Sequence, residues 1–103
     1  MRARDDGPPR DPLVRPVKFP LGRLLATPGV IEGVPESELA RAMRRHANGD
    51  WGDLDAEDMR ANEAALKHGA RLLSSYVTKS GVKFWIITEA DRSATTALLP
   101  SEY

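Results

Sequence analysis

Three charged residues, Glu89, Asp91 and Arg92, lie together in a short polar stretch between two runs of β-forming residues. Two carboxylates on one loop can serve as general acid and general base in a hydrolase, and functional groups concentrate on loops. The same side chains can instead bond to one another and to the backbone of the turn. We therefore keep a small hydrolase centred on Glu89 and Asp91 as an alternative function. All three residues are also candidate partner-binding residues.

Trp51 is a large aromatic residue in a flexible polar frame, between Asp50, Gly52 and Asp53. A ring in such a frame either fills a gap in the core or is presented to a partner as a contact anchor. The burial tendency of tryptophan in monomers favours the core. The second interpretation makes Trp51, Asp50 and Asp53 candidate partner-binding residues.

Arg41, Arg44 and Arg45 are spaced so that they can converge on one side of a helix. Guanidinium groups in such an arrangement bind phosphates well, which makes these residues candidates for nucleic-acid binding. The acidic segment 50–63 follows closely and offsets their positive field. A nucleic-acid-binding accessory or regulator is therefore a second alternative function, and it is not the favoured one.

The sequence indicates no metal, cofactor or catalytic residues. His46 and His68 fall near the ends of two predicted helices, where the helix dipole favours a cationic imidazole, and they lack the spacing of zinc ligands. The acidic segment 50–63 lacks the ligand spacing of an EF-hand. No serine lies in the nucleophile-elbow pattern of hydrolases.

The composition is that of one small globular domain. The chain has 103 residues, 15 Lys and Arg against 15 Asp and Glu, and no Cys. The balanced charge argues against a dedicated nucleic-acid binder, and the lack of Cys excludes disulfides and thiolate metal sites. No apolar run has the length of a membrane span or a signal peptide, so we expect a cytoplasmic protein that does not enter a membrane.

Local patterns predict an α+β fold. Residues 1–16 alternate charges with prolines and predict a disordered tail, and 17–103 form the single domain. Two to three N-terminal helices are expected to pack on a C-terminal antiparallel meander of three strands. An extra N-terminal strand at the edge of this sheet is a further possibility.

The helices are predicted at about 28–33, from 35–37 to 48–49, and at about 55–68. The stretch 17–26 is predicted to be extended, as an edge strand or as a short strand only at 23–26, because Pro20 removes a ladder donor. The inner stripe of the third helix is expected to consist of Met59, Asn62, Ala65 and Leu66.

The meander is predicted from three β-rich runs at 71–78, 82–88 and 93–99. The first two form a hairpin around Gly81, which supplies the positive φ that the loop requires. A two-residue loop would place Tyr76 opposite Trp85, and a bulge at Gly81 would shift this register by one residue. Both registers stay open at this point.

Several blocks carry a resemblance: KFPLGRLLATPG at 18–29, GDWGDL at 49–54, WIITEADRS at 85–93, and LLPSEY at 98–103. Together they resemble a family of small, uncharacterised bacterial proteins found on plasmids, phages and other mobile genetic elements. The resemblance implies that family members begin near residue 17, so that 1–16 is an extension or follows from a mis-set start. The resemblance therefore implies that the protein belongs to a mobile genetic element, but it implies no particular activity.

The favoured function is a non-enzymatic protein-binding accessory of a mobile genetic element. An inhibitor of host defence, of the anti-restriction or anti-CRISPR type, fits that setting. The partner is then another protein, and the sequence does not decide whether the chain also forms a homodimer. This interpretation follows from the lack of recognisable site chemistry together with the family resemblance, and is therefore associational.

Overall fold

The computed structural model describes residues 17–103, and the tail predicted at 1–16 lies outside them. The described residues form three α-helices and a mixed four-stranded sheet, which confirms the α+β class. The elements are β1 (Arg23–Ala26), α1 (Pro28–Gly33), α2 (Glu36–Ala47), α3 (Ala56–His68), β2 (Leu72–Val77), β3 (Lys83–Thr88), β4 (Ala94–Leu98) and a final 3₁₀ turn at Pro100–Glu102.

The sheet has the strand order β1-β4-β3-β2. Strands β2, β3 and β4 form the predicted antiparallel meander. The N-terminal strand β1 joins it at the edge and runs parallel to β4, with Leu24 opposite Thr95. The sheet is therefore mixed, which a plain three-stranded meander does not capture.

Helix boundaries follow local capping chemistry. The Thr27 hydroxyl accepts a hydrogen bond from the Val30 amide at the start of α1, with Pro28 in the first turn. Asp55 caps α3 in the same way by accepting from the Asp58 amide at 2.8 Å. Gly69 ends α3 in the left-handed conformation, with φ of 72°.

The hairpin between β2 and β3 has the shifted register. Tyr76 lies opposite Phe84 and Ser75 opposite Trp85, so the pairing expected from a two-residue loop is wrong. The Thr78 amide donates to the Val82 carbonyl, and Gly81 adopts φ of 96°. The loop is thus longer than two residues, and the glycine supplies the positive φ of its last position.

The helices cover one face of the sheet. Phe84 and Ile86 lie on that face in the main core, with Val30 from α1 and Ala42 from α2. A second, smaller core joins Phe19, Trp51, Ala65 and Leu72 beside α3 and β2. On the opposite face Ile87 is buried and Trp85 is half-buried against Tyr103, at 5.7 Å between ring centroids. This face is therefore closed in part within the chain itself.

The predicted inner stripe of α3 is correct in three of its four members. Asn62 and Ala65 are buried, and Leu66 is half-buried against the smaller core, as expected. The placement of Met59 on this stripe is wrong, because α3 packs beside β2 through its C-terminal half and leaves Met59 exposed.

Candidate protein-binding site

The outer side of β1 is an open strand edge. The Arg23 amide donates to the Ser93 carbonyl and the Thr27 amide to the Ala97 carbonyl, both at 3.0 Å. Main-chain groups alternate along a strand, so those of Leu24 and Ala26 are directed away from β4. Within residues 17–103 no strand pairs with this side. The edge thus presents main-chain donors and acceptors to a further strand.

An apolar groove of about 460 Å³ lies between β1 and α2. Its wall on the helix side consists of side chains from one face of α2, and its other side is formed by β1 and the segment before it. Charged groups stand only at the helix side. The groove residues are Val17, Leu21, Leu24, Leu25, Ala26, Glu36, Leu39, Ala40, Met43, Arg44, Ala47 and Asn48.

Large apolar side chains are unusually exposed around this groove. Val17 is 60% exposed, Leu24 59% and Leu25 40%. A leucine left in water forgoes the roughly 1.5–3 kcal/mol that full burial of its side chain provides. A contiguous exposed apolar patch of this kind is typical of an interaction site. We call the outer side of β1 together with this groove the β1–α2 groove.

Sequence reasoning missed the β1–α2 groove, although two signals pointed to it. The Leu24-Leu25 pair puts a large apolar side chain on each face of a strand. The amphipathic pattern of α2 places Leu39 and Met43 on the inner side of the helix. Only the strand order shows that β1 is at the edge, so that these residues border open space.

Trp51 is part of the core. It is 4% exposed, its ring stacks on Phe19 at 6.2 Å, and its Nε1–H donates to the Glu63 carboxylate at 2.9 Å. The favoured interpretation of Trp51 as a core residue is confirmed, and the alternative of a contact anchor does not fit, because the ring is folded inward.

Asp50 and Asp53 form part of the scaffold around Trp51. Asp50 accepts two hydrogen bonds from the Arg45 guanidinium, at 2.8 and 3.2 Å. This hydrogen bonding lowers the pKa of the Asp50 carboxyl. The Asp53 amide donates to the Ser75 carbonyl at 2.6 Å, while its side chain is exposed. Of the two, Asp53 is the one whose location suits a partner contact.

The predicted loop residues are engaged in local structure. Arg92 has φ of 63°, and its guanidinium donates to the carbonyls of Ala65 and Ala70 at 3.1 and 2.6 Å. Asp91 accepts from Ser93, which lowers the pKa of the exposed Asp91 carboxyl. Glu89 accepts from Arg71 at 3.4 Å.

Arg92 therefore ties the β3–β4 loop to the end of α3. Asp91 shapes the turn, and Glu89 pairs at the surface with an arginine that precedes β2. Neither carboxylate lines the β1–α2 groove or the two depressions beside Tyr76.

The three arginines of α2 divide between two surfaces. Arg45 is held by Asp50 and lies over the Tyr76 ring at 4.9 Å. Arg41 and Arg45 both line a depression with Glu38 and Lys79. Arg44 stands at the β1–α2 groove. The structure therefore does not bring the three guanidinium groups onto one phosphate-binding surface.

His46 is the centre of a buried polar network that the sequence did not predict. Its Nδ1 bonds to the Ser74 hydroxyl and its Nε2 to the Thr88 hydroxyl at 2.8 Å. Thr88 bonds to Thr95 at 2.7 Å, and Thr95 donates to the Leu21 carbonyl at 2.7 Å. The network joins α2 to three strands and to the segment before β1.

The expectation of a cationic His46 at the helix end is wrong. Burial, with the nearby positive charge of Arg92, lowers the pKa of His46 to about 4, so the imidazole is neutral at pH 7. The His46–Ser74 pair has the composition of a Ser–His dyad, but both side chains are completely buried and serve as part of the core network. Its position seven residues after Leu39 on the apolar stripe was the signal for burial.

Residues 17–103 contain no cluster of three or more His, Cys, Asp or Glu side chains that could hold a metal ion. None of the helices in this part of the chain is both long and apolar enough to cross a bilayer. No family model matches the chain, and neither the curated proteins nor the solved structures include a significant match.

Proposed function

We propose that the chain is a non-enzymatic protein-binding accessory that captures an extended polypeptide in the β1–α2 groove. The observation that carries this proposal is the open edge of β1 directly beside an apolar groove of about 460 Å³. A bound strand would pair with the outward main-chain groups of Leu24 and Ala26. Its alternate side chains would enter the groove.

The lining of the groove favours a polypeptide over a small substrate. A small-molecule site requires a few convergent polar groups that orient the ligand. Here the wall is built from side chains such as Leu39, Met43 and Ala47, and charge stands only at Glu36 and Arg44. The groups that can give direction and register are the main-chain amides and carbonyls of β1, which recognise another main chain.

The resemblance to mobile-element proteins gives this proposal its biological setting. An accessory protein of such an element that acts on host defence would work by occupying a surface of a restriction or CRISPR component. Strand addition suits that role because it takes its affinity from main-chain pairing and tolerates varied partner sequences. The cytoplasm, where such complexes act, is part of the same proposal.

A labelled hexapeptide of alternating Val and Thr tests strand addition directly. We expect fluorescence anisotropy to show binding to the full chain. Ala26→Pro removes an outward amide, and Met43→Glu places a charge in the groove. Each change should weaken the peptide affinity by about tenfold or more.

The matched control is Met59→Glu, which makes the same change at an exposed methionine on α3. Met59→Glu should leave the peptide affinity unchanged. Equal loss in Met43→Glu and Met59→Glu, or retained binding in Ala26→Pro, would contradict strand addition at β1.

A further inference from the structure

The face of α2 that borders the groove is self-complementary in charge. Glu36, Ala40 and Arg44 follow one another at intervals of four residues and all line the groove. Residues at this spacing form one row along a helix. The acidic and basic ends of the row are equally far from Ala40, about 12 Å apart in total at 1.5 Å per residue.

Such a row matches a second copy of itself in the antiparallel direction. If a two-fold axis passes beside Ala40, Glu36 of each copy meets Arg44 of the other, and both ion pairs form by symmetry. The small Ala40 side chain lets the two helices approach at the centre. A parallel arrangement would instead oppose like charges.

The edge of β1 admits the same symmetry. In an antiparallel pair centred on Leu25, Leu24 of each copy lies opposite Ala26 of the other, and these are the residues whose main-chain groups are directed outward. The proposed dimer requires one axis perpendicular to the sheet that passes through Leu25 of β1 and beside Ala40 of α2, two residues that line the same groove. The two sheets would then join into one, beneath the paired α2 helices.

We propose that the polypeptide held in the β1–α2 groove is a second copy of this chain, giving a two-fold dimer; this inference rests on the proposed function and names its partner. The dimer covers the exposed side chains of Leu24 and Leu25 and satisfies the open strand edge. The row of Glu36, Ala40 and Arg44 along α2 favours a second copy over an apolar strand as the partner. An apolar strand would leave Glu36 and Arg44 without counter-charges.

Sedimentation velocity of the full chain tests the dimer through charge exchange. Glu36→Arg alone and Arg44→Glu alone should each weaken self-association by about tenfold or more, because each sets like charges opposite one another twice. A mixture of the two variants should dimerise again, since one chain then carries arginine at both positions and the other carries glutamate at both. The double variant Glu36→Arg/Arg44→Glu should also dimerise.

Rescue on mixing excludes a simple folding defect in either variant. The matched control exchanges the same charges on exposed positions of α3, with Glu57→Arg and Arg60→Glu, and these should leave self-association unchanged. A wild-type chain that stays monomeric at millimolar concentration, or a dimer that none of the α2 variants weakens, would overturn the proposal.

The outcomes separate this inference from the proposed function. If the chain is monomeric but the Val-Thr hexapeptide binds and Ala26→Pro abolishes that binding, the dimer is wrong and strand capture stands. If mixing restores the dimer while monomeric Glu36→Arg binds no hexapeptide, the dimer stands and capture of foreign strands is wrong.

Discussion

The two edges of the sheet differ in how their main-chain groups are satisfied. On the outer side of β2, the amide and carbonyl of Leu73 bond to the Asn62 side chain at 3.1 and 2.6 Å. The Ser75 amide donates to the Trp51 carbonyl at 3.1 Å, and the Ser75 carbonyl accepts from Asp53. Within residues 17–103 the outer side of β1 has no strand or side chain in a comparable role.

The contrast teaches that, among residues 17–103, β2 has its outer main-chain groups paired by local segments while β1 does not. An open edge is an aggregation risk, and proteins cover, charge or shorten such strands. The outer side of β2 is covered by the segment Trp51 to Asp53 and by the buried side-chain amide of Asn62. At β1 the strand is short, but beside one exposed charge, Arg23, it carries two exposed leucines, which favours a specific partner.

The largest effect should come from crowding the closed edge. Gly52 has φ of 75°, and a Cβ there would overlap the Ser75 carbonyl oxygen. Gly52→Ala should therefore cost about 3 kcal/mol or more of unfolding free energy, measured by urea denaturation, because strain and a backbone clash add.

Gly69→Ala is the matched control for Gly52→Ala. Gly69 has nearly the same φ, 72°, but a Cβ there would have no atom within 4 Å. Its substitution should cost only about 1 kcal/mol, the strain of a left-handed alanine. If both variants lose the same stability, the close approach of Gly52 to β2 is not what holds this edge.

Acidification should weaken the network that anchors α2, the helix shared by both regions. The folded-state pKa of His46 is about 4, below the ordinary 6.5, so the native state binds fewer protons than the unfolded chain. This contribution is complete above pH 6.5 and is lost as the pH falls toward 4, by roughly 3 kcal/mol.

Urea denaturation at several pH values measures this loss, and His46→Gln is the comparison. The variant should be less stable at pH 7 but should lack the slope between pH 6.5 and 4. The carboxyls with lowered pKa values, including Asp50, lose their contribution in both proteins mainly as the pH falls below their ordinary pKa, which is 3.8 for Asp50 and lies outside this range. An unchanged slope in His46→Gln would show that another group titrates.

Removing the side-chain cap of β2 should have a moderate effect. Asn62→Ala leaves the amide and carbonyl of Leu73 without their partner at a part-buried position. We expect the free energy of unfolding, measured by urea denaturation, to fall by about 2 kcal/mol, because buried polar groups lose their hydrogen-bond partner. Asn48→Ala, which removes a single bond to the Arg44 carbonyl near the surface, is the control and should cost less. Equal losses would contradict a special role of Asn62.

The sequence predicted the elements well because local chemistry determines them. The cap at Asp55, the stop at Gly69 and the apolar period of α2 required no knowledge of distant residues. The site was harder to predict, since it depends on which strands are neighbours. Nothing local shows that β1 pairs in parallel with β4, or that Trp51 turns inward to close β2. The network of His46 likewise joins residues 28 and 42 positions away in the chain.

The smallest effect on stability should come from placing proline on the open edge. The Ala26 amide is directed away from β4, so Ala26→Pro keeps the ladder with β4 and should change the unfolding free energy by no more than about 1 kcal/mol. Ser75→Pro makes the same change on β2, where the amide bonds to Trp51, and should cost about 3 kcal/mol or more. Urea denaturation at low protein concentration, where self-association does not add stability, compares the two. Because proline tests the amide directly, equal losses would mean that the outer side of β1 is already paired, and the proposed binding site would be wrong.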